Sequence, residues 1–151
     1  METLFAVTLI AHVVLGILGV IFCYLVVLGL LKKTIPVKML KWSSFLAFGA
    51  YMLSWLSGGY YYVFYYGSNV KPGIKEGAYP WAHLVFMEAK EHIFLMIPFA
   101  TFALWVVLFT KGEQLDMDHK LKTSVVWLAA VITILATIIT LSGIIITGAG
   151  R

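Results

Sequence analysis

The sequence predicts an all-α integral membrane protein, a single bundle of four helices. Three observations predict it: the composition, the spacing of long apolar spans, and the uneven placement of lysine. Of 151 residues, 62% are hydrophobic and 12% charged, against about 25% charged in an average soluble domain. Apolar spans cover about residues 3–31, 37–66, 80–110 and 121–147. Each is at least as long as the roughly 20 residues that cross a hydrocarbon core. The length suits one domain over residues 1–151, with no room for a second.

The first span lacks a basic leader and a small-residue cleavage pattern, so it reads as a retained helix and not a signal peptide. It ends at Lys32-Lys33-Thr34-Ile35-Pro36. The second span closes in an aromatic run at 60–66, the composition of an interfacial belt. A Gly/Pro-bearing segment at 67–78 reads as a loop. The third span carries Pro98, which withholds the donor for the Phe94 carbonyl and is expected to kink the helix. The fourth follows a charged break at 111–122, in which Glu113, Asp116, Asp118 and His119 read as a solvated loop around a helix N-terminus.

Lysine sets the expected orientation. Lys32, Lys33, Lys38 and Lys41 lie in or near the first break, Lys71 and Lys75 in the second, and Lys111, Lys120 and Lys122 in the third. The positive-inside rule puts the first and third breaks in the cytoplasm and both termini outside. The formal charge of +4 comes from these helix ends and not from one basic face, so no nucleic acid is expected as a partner. Cys23 stands alone in an apolar run, which excludes a disulfide framework or a thiolate metal cluster within one chain.

Each of three spans carries a line of small or polar residues at helical spacing. They are Thr8, His12, Gly16, Gly19 and Cys23 in the first, then Ser43, Ala47, Ala50, Ser54, Ser57 and Tyr61 in the second. The fourth has Thr133, Thr137 and Thr140, with Gly143 beside them. Close helix packing accounts for such lines. It does not account for His12, nor for His83, Glu88, Lys90, Glu91 and His92 in the third span. An ionisable group at bilayer depth costs roughly 2.5–3.5 kcal/mol on insertion scales.

At about 1.5 Å per residue, His12 and His92 lie at similar depths below the outer surface. Glu88 and His92, four residues apart, share a face, which is expected to turn inward and meet His12. His83 and Lys90 share a second face nearer the outer interface, and Glu91 lies on the flank between them without a role. Two imidazoles at one depth suit a b-type haem held by His12 and His92, with Gly16 and Gly19 leaving room for the macrocycle. Lys90 or His83 would neutralise its propionates, and Glu88 would serve as acid, base or hydrogen-bond partner.

Four spans with inward histidines, over the whole chain, resemble the small four-helix bacterial membrane cytochromes b, including b561-like and CopD-like proteins. That resemblance implies one or two haems; only His12 and His92 match in depth here, with His83 marginal. The expected function is one-electron transfer through one haem b near the outer face of the cytoplasmic membrane of a bacterium or archaeon. The electron donor would be a quinol or another redox protein, reached along residues 60–66, and a homodimer suits so short a bundle. An enzymatic version leaves an iron position open, making a haem-dependent oxidoreductase. The alternatives are a mononuclear iron, zinc, manganese or copper site built from Glu88, Glu91, His92 and His12, with Met87 and Met96 near, or a small transporter or accessory subunit.

Overall fold

The computed structural model describes residues 2–149. It is all-helical, with α1 at Glu2–Leu30, α2 at Val37–Tyr61, α3 at Lys71–Glu76, α4 at Glu88–Lys111 and α5 at His119–Ala149. Two π-helical stretches extend the bundle helices, Tyr62–Val70 after α2 and Ala82–Met87 before α4. Three helical segments are long and apolar enough to cross a membrane: Glu2–Leu30, Ala82–Gln114 and His119–Ala149. The fourth long helix, α2, carries Ser43, Ser44, Ser54 and Ser57 and is less apolar.

The connections follow from local chemistry. Pro36 stops the chain before α2, and the turn from α1 is tied by Lys32 N–H to the Gly29 carbonyl at 3.3 Å. Asp118 caps α5, its carboxylate accepting from the Leu121 N–H at 2.9 Å, as an aspartate at a helix N-cap does. The 67–78 segment is not an irregular loop. The π-helical turn runs to Val70, and Pro72 then sits in the first turn of α3, where its missing N–H costs nothing. Pro98 lies inside α4 without ending it.

Two clusters make the core. The larger joins Cys23, Val26 and Leu30 of α1 to Leu40, Ala47 and Tyr51 of α2, Ile97, Leu104 and Leu108 of α4, and Val125 to Ile139 of α5. The smaller holds Tyr66, Ile74, Ala82 and Ile146 at the opposite end. Large apolar side chains such as Ile10, Ile17, Leu56, Phe99, Phe109, Trp127 and Ile144 cover the outside. A soluble surface seldom exposes so continuous an apolar belt.

α1 and α2 approach closely. The aromatic ring of Tyr51, 1% exposed, lies on Gly19, and a Cβ added there would stand 2.7 Å from Tyr51 Cδ1 and Cζ. Gly19 therefore does not clear space for a flat ligand; a tyrosine of the neighbouring helix fills it. Gly19→Ala is expected to destabilise the protein by about 1–3 kcal/mol through overpacking, read as a lowered unfolding midpoint in detergent.

Candidate functional site

Between the two core clusters the packing opens. Two adjoining cavities, of about 430 and 550 Å³, share Leu9, His12, Lys90, Phe94, Gly143 and Thr147 in their walls. The first extends toward Trp55, Gly58, Gly59, Tyr61, Tyr62, Tyr66 and Glu91. The second extends along Gly16, Ile17, Ser54, Ala136, Ile139 and Thr140. Both volumes are in the range of small-molecule and cofactor sites, which combine an apolar lining with a few placed polar groups.

His12 is the most firmly placed of those groups. Its Nδ1–H donates to the Ser54 carbonyl at 2.8 Å, and Ser54 Oγ–H donates back to the His12 carbonyl at 2.9 Å. A carbonyl only accepts, so Nδ1 carries the proton and Nε2 keeps a free lone pair in the neutral ring. Lys90 Nζ donates toward Nε2 at 3.5 Å. The Phe94 ring meets the imidazole edge-on, with centroids 5.8 Å apart. Gly58 lets the ring lie against α2, because a Cβ there would fall on the imidazole.

Lys90 enters the cavity from α4 opposite Gly143, where an added Cβ would stand 3.4 Å from Nζ. Among the described residues the salt bridge is Lys41–Glu113, at 2.9 Å, at the lysine-rich end of the bundle. The Lys90 ammonium thus has a histidine lone pair and a cavity before it, with no carboxylate in ion-pair contact.

The third-span residues sort differently from the sequence expectation. The inward face of α4 carries Ile97, Thr101, Leu104 and Leu108. Stepping back by three and four gives Phe94, Lys90, Met87 and His83. His83 is buried, with Nδ1 at 3.0 Å from the Tyr66 hydroxyl. Glu88 and His92 lie on the outer face and are exposed. His92 is held by its own helix, Nδ1–H donating to the Glu88 carbonyl at 2.7 Å. His12 therefore meets Lys90 where His92 was expected. The mixed set Glu88, Glu91, His92 and His12 is likewise not assembled, and among the described residues no group of three or more metal-ligating side chains converges. Gly16 borders the second cavity.

Sequence reading missed Ser54 as the partner of His12, the glycines Gly58, Gly59 and Gly143, and the Tyr66–His83 pair. The chain matches no family model, no curated protein and no solved structure.

The glycine wall makes a direct prediction. Gly58→Ala pushes the imidazole off Ser54 and is expected to cost about 1–3 kcal/mol. Gly59→Ala meets no neighbour within 4 Å and is expected to be neutral or stabilising by about 0.5–1 kcal/mol. Unfolding midpoints of the two variants in detergent, measured side by side, check the difference.

Proposed function

We propose that this is an integral membrane protein of four spans that binds one b-type haem in the cavity beside His12 and exchanges single electrons through it. The observation that carries the proposal is the state of His12. Its Nδ1–H is committed to a backbone carbonyl and its Nε2 lone pair faces a cavity. Iron-ligating histidines have this arrangement, because the second hydrogen bond fixes the tautomer and the ring orientation.

The residues present fit the group. The aromatic and aliphatic walls suit a porphyrin face, and Gly58, Gly59 and Gly143 keep side chains out of the space. Lys90 supplies a cation on a flexible stem that can turn from Nε2 to a propionate, the role expected of it from sequence. His83 takes no such part: it lies behind the cavity wall, bonded to Tyr66, which does line it. Of the two histidines expected from sequence, His12 alone would hold the iron, since His92 is exposed on the outer face of α4. A bound haem supplies the one-electron chemistry, while the chain's own residues hold it, orient it and exclude water.

The positive-inside pattern supports a cytoplasmic position for the lysine-rich ends of α1 and α4, and with it a His12–Lys90 level in the outer half of the cytoplasmic membrane. A quinol or a redox protein is the donor that suits this position.

A second reading rests on Lys90 itself. An ammonium already facing Nε2 favours an amphiphile with a carboxylate or phosphate head, bound without metal.

Absorption spectra of reduced minus oxidised protein separate the two. The haem reading predicts about one haem per chain, lost or reduced at least tenfold, about 1.4 kcal/mol or more, in His12→Ala. In His92→Ala the haem content stays at the wild-type level. Haem loss from His92→Ala with retention in His12→Ala would overturn the assignment, and a haem-free protein expressed with haem available would favour the amphiphile.

A further inference from the structure

Besides the hydroxyl of Tyr51 in the second cavity's wall, two buried side-chain atoms at the α3 end of the bundle have no hydrogen-bond partner among the described residues, His83 Nε2 and Glu91 Oε1. They belong to one cluster. Tyr62 stands with Tyr66 and Glu91 in one cavity wall, and His83 joins them through Tyr66. Tyr66 and Glu91 both line the cavity that contains Lys90. Tyr66 and His83 are 4% and 1% exposed and are bonded to each other at 3.0 Å. Buried polar groups in folded proteins are almost always satisfied, by protein or by internal water.

We infer that His83, Tyr66 and Glu91, joined by internal water, form a proton-transfer branch linking the cavity to the end of the bundle that carries α3. Both residues of the bonded pair sit in π-helical turns, Tyr62–Val70 and Ala82–Met87, a backbone form that recurs at functional sites. The chemistry balances without an added oxidant or reductant. In the Nδ1–H tautomer, hydronium at the α3 end gives its proton to His83 Nε2 and is left as water, while the Nδ1–H bond breaks and that proton passes to the Tyr66 oxygen. The original Tyr66 proton leaves through water to the Glu91 carboxylate. One proton crosses, and neither His83 nor Tyr66 is left charged.

The charged and titratable neighbours are few. Lys71 and Lys75 stand on α3, and Glu88 opens α4 just after the turn that carries His83. Tyr61 and Tyr62 border Glu91 from the end of α2, Lys90 stands beside it on α4, and His12 faces the same cavity from α1. The α5 wall offers Gly143, Ile146 and Thr147, none of them titratable. The branch would bring protons to the redox group at His12, and in that purpose it depends on the haem reading.

Its test needs no haem. Full-length protein in bilayer nanodiscs is transferred to D2O at mildly acidic pH, and the Glu91 carboxyl infrared band is identified by its loss in Glu91→Gln. In the wild type the band shifts promptly on deuteration. Tyr66→Phe, which keeps the ring and removes only the hydroxyl, slows the shift on the order of a hundredfold, as loss of a proton-transfer group does. His83→Gln slows it likewise. Wild-type exchange rates in Tyr66→Phe, or a Glu91 band that never exchanges, overturn the branch. Absence of haem would overturn the redox reading and leave this outcome unaffected.

Discussion

The two-way bond between His12 and Ser54 is the interaction on which the rest of the site depends. Each residue donates to the other's carbonyl, so α1 and α2 are clasped at this level. A helix carbonyl that accepts from a side chain is not paying a desolvation penalty, and the imidazole gains a fixed tautomer. Gly58 makes the clasp sterically possible. The consequence is an Nε2 atom aimed into an open space in an otherwise packed bundle. Lys90 reaches the same atom from α4, which ties three helices to one imidazole.

That arrangement explains how an ammonium is accommodated inside the bundle. A charge without an acceptor in a bilayer is costly. Here it has the histidine lone pair, a cavity that admits water or a ligand, and Gly143 clearing the opposite wall. The α5 threonines add wall to the cavities at Thr140 and Thr147, but three of their hydroxyls are occupied within the helix. Thr133, Thr137 and Thr140 each donate to the carbonyl four residues back, at 2.7–2.8 Å, and their spacing reflects helix packing. The same holds for Gly19, whose missing side chain is filled by Tyr51.

The helices were legible because hydropathy and lysine-bearing breaks determine them almost alone. The long segments agree with the expected spans to within a few residues, apart from the π-helical continuation past residue 61. His12 was legible as an inward histidine because Gly16, Gly19 and Cys23 share its face. The orientation of α4 was misread. Pairing Glu88 with His92 followed local charge spacing, while the deciding signal lay further along the helix. Ile97, Thr101, Leu104 and Leu108 repeat at four, three and four, and extending that stripe backward selects Lys90 and His83 in place of His92. Packing over many turns outweighs one local pair. Ser54 as a partner was not legible, since a carbonyl acceptor leaves no mark in side-chain pattern. Nor was the Tyr66–His83 bond, which depends on two π-helical turns.

Chemical rescue is the sharpest test of whether Nε2 of His12 is the haem-binding atom, as proposed. His12→Gly protein in nanodiscs, titrated with haem in the presence and absence of free imidazole, reports the result through its Soret absorbance. Weak haem binding is expected without imidazole, and restoration to about one haem per chain with it, the small molecule taking the place of the deleted ring. Haem binding at the wild-type level without imidazole would contradict the proposal.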